Sequence, residues 1–233
     1  MSKFYGIGVG PGDPELLTLK AINRLKTLDC LVVPQGRKGG NSEAHLIVST
    51  YLNPETEIIA RHFPMTSNQE EMDAAIDPIA DEIKSLVTSG KNVGFVTLGD
   101  PMLYSTYIYL LKRLQDQIEI ETLSGLSSYS AMASGFNRPL VEGDTPLLIY
   151  PCTEDLSDLE RHLMAHESVV LMKVYRNFEH IKALLIKHGL IDYSVAVSDF
   201  SKPNQKIYDD LKTVSFEDIS YFTTILINKG WKK

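Results

Sequence analysis

Four glycines at alternate positions, Gly6, Gly8, Gly10 and Gly12, run directly into Asp13 near the start of this 233-residue chain. The stretch Phe4 to Ala21, FYGIGVGPGDPELLTLKA, reads as a short strand that breaks into a Gly-Pro-Gly-Asp turn and restarts as a helix. Such a turn builds a ligand site: glycines clear side chains from one edge so that a flat ligand can approach the backbone, and Pro11 stiffens the turn. Phosphate is not the expected ligand. A P-loop needs Lys-Ser/Thr after its last glycine, whereas Asp13-Pro14-Glu15 follows here and would repel an anion at the helix start. The dinucleotide fingerprint fails as well, because the third glycine falls at the wrong spacing and proline occupies the turn.

A second segment, Val93 to Leu110, repeats the architecture: an apolar strand, then Leu98-Gly99-Asp100-Pro101, then a helix. At the carboxyl end of a strand in an open parallel sheet, Asp100 faces the ligand crevice, where it can contact a ligand or accept a proton; equally, it can cap the helix that follows. Tyr104 stands nearest the loop and can hydrogen-bond a substrate, while Tyr107 and Tyr109 read as packing residues with polar tips. Lys173 closes another predicted strand and either meets a ligand or reaches solvent. Asp13 either lines a substrate trough or serves only its tight turn. His162 and His166 have metal-ligand spacing on one predicted helix, but a solvated helix face explains both, and no protein metal site is expected. Gly125-Leu126-Ser127-Ser128 is not a nucleophile elbow, and no His-acid pair accompanies it.

These residues need a scaffold of alternating strands and helices. Strands are predicted at Phe4 to Val9, Cys30 to Val33, Glu57 to Ala60, Val93 to Thr97 and Ile118 to Thr122. Helical periodicity runs over Leu16 to Leu28, Ser42 to Tyr51, Asn68 to Ser89 and Leu103 to Gln115. In the third helix Asn68 is the expected N-cap, Gly90 the stop, and Pro78 a kink. Such alternation implies a mostly parallel sheet covered on both faces. After a short helix at Leu126 to Ser134, the run FNRPLVEGDTP reads as a linker. Strands then follow at Leu147 to Tyr150, Val169 to Lys173, Tyr193 to Ser198, Lys206 to Tyr208 and Tyr221 to Ile227, with helices at Leu156 to His166 and Phe178 to His188. Adjacent late strands permit antiparallel pairing. The expectation is an α/β protein of two α/β domains, 1–122 and 123–233, the first with a mostly parallel sheet and the second with a mixed one. A cleft between them is the expected small-molecule site.

Composition narrows the function classes. Thirty acidic against 23 basic residues give a net charge of -7, a field against which nucleic acid would have to bind. A small polycarboxylate needs only a local basic rim, and Arg37, Lys38, Arg61, His62, Lys173 and Arg176 lie beside predicted loops or strand ends. No apolar run approaches the roughly 20 residues that span a bilayer, and the MSKFYG start has no basic-then-apolar leader, so a cytoplasmic location with no membrane partner is expected. Cys30 and Cys152 are too few for a disulfide framework and read as packing residues.

Gly-Pro-Gly-Asp near the start combined with Gly-Asp-Pro in the second segment resembles the tetrapyrrole methylase family, S-adenosylmethionine-dependent enzymes that methylate porphyrinoid rings. Phe63-Pro64-Met65, LGDPMLYSTYIYL, Gly125-Leu126-Ser127-Ser128 and Leu171-Met172-Lys173 resemble, in that order, the branch that methylates C20 of precorrin-2 or cobalt-factor II on the route to cobalamin. The resemblance spans roughly residues 3 to 227 and implies a homodimer. It implies a cofactor, S-adenosylmethionine leaving as S-adenosylhomocysteine, held folded between the domains, largely by backbone groups of Pro11, Leu98, Gly99, Asp100, Leu103, Ser127, Ser128 and Met172. Substrate contacts fall on Asp13, Tyr104 and Lys173, the last pairing a propionate or acetate of the macrocycle, with Asp100 and Tyr104 as catalytic candidates. Ser124 stands where the family often has proline, and the segment before Gln205 lacks a frequent glycine, so no cofactor contact is assigned there. Methylation of uroporphyrinogen III or another precorrin carbon, and a non-catalytic tetrapyrrole carrier, remain as alternatives.

Overall fold

In the computed structural model, which describes residues 2–35, 42–64, 66 and 68–232, the chain divides into two units, 1–127 and 128–233. The first is organised by β1 (Phe4–Gly8) and β4 (Val93–Thr97), each buried at every position. Strands this apolar need cover on both faces, which a parallel sheet with crossover helices supplies. With β2 (Cys30–Gln35), β3 (Glu57–His62) and β5 (Ile120–Leu123) they form a five-stranded sheet in the order β3-β2-β4-β1-β5, and every pairing is parallel.

Alternation along the strands sorts the core into two layers. Tyr5, Ile7, Leu31 and Val33 pack against Ala21 and Leu25 of α1 (Leu19–Leu25) and Ile47 and Val48 of α2 (Glu43–Val48). Phe4, Val32 and Phe95 pack on the other face against Ile76 and Ile83 of α3 (Gln69–Thr88) and Leu110 and Leu114 of α4 (Tyr107–Leu114). The Asn68 side chain accepts from the Glu71 amide at 3.1 Å as the N-cap of α3, and Gly90 ends that helix at φ 99°. Helix α3 runs on through Pro78.

Two predicted helices of this unit begin three or more residues later than their periodicity suggests. The first is split: Pro14–Leu16 is a single tight turn, Leu17 is extended, and Thr18 starts α1 afresh by accepting from the Ala21 amide at 3.1 Å. The fourth begins at Tyr107 instead of Leu103, because Tyr104 takes a left-handed conformation at φ 51°, which no α-helix accommodates. Arg61, a candidate for the basic rim, is instead bidentate to Glu82 of α3, and His62 Nδ1 lies 3.1 Å from the Gln35 carbonyl. Arg37, Lys38 and Met65 lie outside the described residues.

The second unit carries β6 (Leu147–Pro151), β7 (Ser168–Met172), β8 (Ser194–Ser198), β9 (Lys206–Tyr208) and β10 (Thr223–Asn228) in the order β6-β7-β10-β8-β9. β6 and β7 pair in parallel; β10 runs antiparallel to β7 and β8, and β9 antiparallel to β8, so the sheet is mixed as expected. Helices α6 (Leu159–Ala165) and α7 (Phe178–Lys187) cover one face through Leu163, Phe178, Ile181 and Leu185. On the other face Met132 of α5 (Ser128–Gly135) packs on Val170, Val195, Val197 and Leu226.

The run 136–146, predicted as a linker, is fastened to this second unit. Arg138 is 7% exposed and donates to the carbonyls of Tyr193 and Trp231, while Asn228 Nδ2 donates to the carbonyls of Pro139 and Leu140. No helix among the described residues is long and apolar enough to cross a membrane.

Candidate active site

The sheet order of the first unit places the carboxyl ends of β1, β4 and β5 side by side. From β1 the chain crosses to β2 beyond β4, whereas from β4 it crosses to β5 beyond β1. Ligand crevices in open α/β sheets form where successive connections diverge in this way.

The three loops leaving these strands are stitched together through glycine backbone. Gly10 and Gly99 form an isolated antiparallel bridge, Gly10 N donating to Gly99 O at 3.3 Å and Gly99 N to Gly10 O at 2.8 Å. A Cβ on Gly8 would stand 2.5 Å from the Gly125 nitrogen, and one on Gly125 would stand 2.0 Å from the Gly99 carbonyl oxygen. At Gly6 an added Cβ would enter the Tyr107 ring at 2.2 Å. Gly6 and Gly8 therefore admit the protein's own atoms, where the sequence pattern suggested room for a ligand. Gly99 is the opposite case: it sits at φ 68° and, its chain neighbours apart, no atom of the described residues lies within 4 Å of the Cβ position, which leaves one side of its backbone open.

Asp100 joins two of the loops. Its Oδ1 accepts from the Met102 amide at 2.8 Å and its Oδ2 from the Gly125 amide at 3.1 Å. The first bond closes a turn inside the loop and is not the helix cap expected of Asp100, because α4 begins only at Tyr107 with Thr106 at its N-cap. The second, which spacing in the sequence does not reveal, holds the Gly-Leu-Ser-Ser loop against the Gly-Asp-Pro loop. Leu103 donates its amide to the Asp100 carbonyl at 3.2 Å, and Leu98 packs beside the α1 face of the core. Pro11 is buried, and Asp13 accepts from the Glu15 amide at 2.8 Å as the cap of the turn after it. Ser127 ends this unit, just past Gly125.

Tyr104 is 40% exposed and holds its positive φ between Leu103 and the buried Ser105. A bulky residue in this region of backbone space is strained by about 1–3 kcal/mol and persists only where its surroundings fix it. The Ser105 hydroxyl donates to Thr97 Oγ1 at 3.0 Å and accepts from the Tyr107 amide at 3.1 Å. Tyr107 is fully buried over Gly6, with its phenol oxygen 2.6 Å from Thr122 Oγ1 of β5, and burial raises its pKa.

In the second unit, Ser128 opens α5 and Met172 ends β7, its carbonyl accepting from the Cys152 amide at 2.7 Å. Lys173 follows in the left-handed region at φ 59°, which is why the strand stops one residue short of its predicted end. Its ammonium is partly withdrawn from water, and this desolvation lowers its pKa from the ordinary lysine value. The His162 ring lies tilted against the rings of Tyr150 and His166, at centroid distances of 5.5 and 5.6 Å, and no cluster of three or more potential metal ligands occurs among the described residues.

The open backbone of Gly99, flanked by the side-chain-free Gly10 and Gly125 and braced by Asp100, suits a ligand held by main-chain groups, as the resemblance implies for S-adenosylmethionine. Loop, cap, helix-start and strand-end positions account for all eleven of the site residues inferred from the sequence: Pro11, Asp13, Leu98, Gly99, Asp100, Leu103, Tyr104 and Ser127 in the first unit, and Ser128, Met172 and Lys173 in the second. Ser105, read as part of a family-like run, and Thr97, read as a strand end, were not singled out as site residues. Buried hydroxyl pairs leave no periodic signal.

Comparison with known proteins agrees with this architecture. The family model of tetrapyrrole (corrin/porphyrin) methylases matches residues 3–214. A cobalt-precorrin-2 C(20)-methyltransferase of Salmonella typhimurium is 39% identical over 99% of this chain and 98% of its own. A probable cobalt-precorrin-2 C(20)-methyltransferase of Methanocaldococcus jannaschii is 31% identical over 100% and 98%, and a precorrin-2 C(20)-methyltransferase of a Sinorhizobium species 30% identical over 100% and 97%. Among solved structures, a cobalt precorrin-4 methyltransferase shares the fold with a TM-score of 0.73 at 22% identity, covering 97% of this chain and 94% of that one. A uroporphyrin-III C-methyltransferase of Thermus thermophilus, complexed with S-adenosyl homocysteine, gives 0.66 at 21% identity, covering 98% and 99%. The motifs, the paired α/β sheets and a family match over most of the chain lead to one conclusion: this protein belongs to the tetrapyrrole (corrin/porphyrin) methylases.

Proposed function

We propose that this protein is an S-adenosylmethionine-dependent methyltransferase that methylates C20 of precorrin-2, or of its cobalt-bearing form, in cobalamin biosynthesis. The observation that carries the reading is end-to-end similarity to relatives named for that reaction, at 39, 31 and 30% identity. The two more similar of these are named for the cobalt-bearing ring, which favours it as the substrate.

When bound, S-adenosylmethionine would supply an electrophilic methyl group on a sulfonium: sulfur would keep the electron pair of the broken bond, the ring carbon would supply the pair for the new one, and Asp100 would take the proton that this carbon sheds. The protein's task is then chiefly to position the reactants and exclude water. In this reading Pro11, Leu98, Gly99 and Leu103 present backbone to the cofactor, with Ser127, Ser128 and Met172 completing the set. Asp100, whose two oxygens hold the Met102 and Gly125 amides, keeps that surface in shape and stands ready as a catalytic group beside Tyr104. Asp13, Tyr104 and Lys173 face the tetrapyrrole. The lysine ammonium complements a ring carboxylate. The same proposal takes 1–122 and 123–233 as the two functional domains and the working form as a cytoplasmic homodimer without a nucleic-acid partner.

The test is incubation of metal-free precorrin-2 and of cobalt-factor II with methyl-labelled S-adenosylmethionine, with mass spectrometry of the ring and NMR location of the new methyl. Label at C20 is expected, more rapidly on the cobalt ring. Label at another carbon, or transfer to neither ring despite measurable cofactor binding, would overturn the assignment.

A further inference from the structure

We propose that the buried Thr97–Ser105 hydroxyl pair is a positioning device: it holds Tyr104 in its left-handed conformation and so sets how the phenol meets the tetrapyrrole. The inference rests on the reading that Tyr104 contacts substrate, and it adds two buried residues, Thr97 and Ser105, that act through Tyr104.

The loop from Thr97 to Ser105 is closed at its base by the 3.0 Å bond between the two hydroxyls. Both residues are 8% exposed, so water does not readily replace the bond. Ser105 is tied on its other side as well, because its oxygen receives the Tyr107 amide at 3.1 Å. Tyr107 in turn is locked over Gly6 and bonded to Thr122 of β5. The peptide unit after Tyr104 is therefore anchored to β4 through Thr97 and to the interior through Tyr107. Before it, the loop is held by the bonds of Asp100 to Met102 and Gly125. The positive φ of Tyr104 thus lies in a chain segment anchored on both sides. This explains why Ser105 and Tyr107 stand within the same Tyr-Ser-Thr-Tyr run as Tyr104.

The test combines structure with a double-mutant cycle. A crystal structure of Ser105→Ala is expected to show Tyr104 leaving the left-handed region; an unchanged φ would overturn the proposal whatever the enzyme's substrate proves to be. In kinetics, Ser105→Ala and Thr97→Val should each raise the tetrapyrrole KM by about tenfold, the effect of one buried hydrogen bond, with S-adenosylhomocysteine affinity unchanged by calorimetry. Thr97→Val leaves the Tyr107 amide bond in place, so it reports on the hydroxyl pair even if Ser105→Ala folds poorly. Thr97→Ser, which keeps the hydroxyl, should behave as wild type. In a Tyr104→Phe background the same substitutions should change KM by less than about twofold, since residues acting through one another are not additive. Full additivity with an impaired Tyr104→Phe enzyme would overturn the positioning role alone. A Tyr104→Phe enzyme with wild-type KM would overturn the substrate role of Tyr104 and this inference with it.

Discussion

The carbonyl oxygen of Gly99 occupies the place where a side chain on Gly125 would have to go, 2.0 Å from a Cβ built there. Gly125→Ala must push the two loops apart and is expected to destabilise the first unit by about 3 kcal/mol, near the top of the usual overpacking range. Gly99→Ala meets no atom, so its loss is confined to the positive φ, roughly 1–2 kcal/mol, while its methyl group enters the open side. Urea denaturation alongside S-adenosylhomocysteine titration separates them. Gly125→Ala should lose stability and affinity together, and Gly99→Ala should lose more affinity than stability. Wild-type affinity in Gly99→Ala would remove that glycine from the cofactor surface.

Asp100 accepts from two backbone amides, and the two can be removed in turn. Asn keeps one acceptor oxygen but turns an NH2 toward the other amide; Ala leaves both amides without this partner. Cofactor affinity is expected to fall in the order wild type, Asp100→Asn, Asp100→Ala, with about tenfold lost at the last step of the series relative to wild type. Affinity and turnover both at wild-type level in Asp100→Ala would reduce Asp100 to a turn residue.

Lys173 has a pKa lowered from 10.5 by desolvation. Between the lowered value and 10.5 the unfolded chain binds more protons than the folded one, so stability rises with pH across that interval. Lys173→Met should abolish this rise in alkaline denaturation curves. If the ammonium meets a substrate carboxylate, the alkaline limb of kcat/KM should also fall at a pH below the ordinary lysine value, and it should be absent from the methionine variant.

Burial pushes the Cys152 thiol up to about 12 from 9.0. The folded protein therefore keeps a proton that the unfolded chain releases, and stability falls as pH climbs from 9.0 toward about 12. Cys152→Ala should flatten that decline. Ellman titration at pH 8 should find Cys152 unreactive in the native protein and reactive in guanidinium. Rapid native labelling of Cys152 would contradict its buried position.

Strand alternation and glycine-rich turns carried most of the scaffold in readable form. β1, β4 and β2 stand out because buried parallel strands are continuous apolar runs, and Asn68 with Gly90 bracketed α3 from the sequence alone. What periodicity missed are places where tertiary bonds overrule local preference. Leu103 to Gln115 has helical spacing, yet the Thr97–Ser105 bond and the left-handed Tyr104 delay the helix to Tyr107. Likewise 136–146 has the composition of a linker, but Arg138 and Asn228 bind it down through backbone carbonyls that leave no mark on residue types. At the candidate site, Gly-Pro-Gly-Asp and Gly-Asp-Pro were legible as loops. That Gly6 and Gly8 serve Tyr107 and Gly125 instead of a ligand was not, since a glycine looks the same whether ligand or protein fills its missing side chain.

The position of β1 carries a consequence for how the chain is made. Among the strands of this sheet it is the first to emerge during synthesis, yet its partners on either side are β4, at 93–97, and β5, at 120–123. A ribosome must extend well past the intervening β2 and β3 before this apolar segment finds either neighbour. At typical synthesis rates of about 5–20 residues per second, the nascent chain carries Phe4, Tyr5 and Ile7 unpaired for several seconds. The first unit is thus expected to assemble late and all at once, with its glycine-lined loops closing only when the last strand of the sheet arrives.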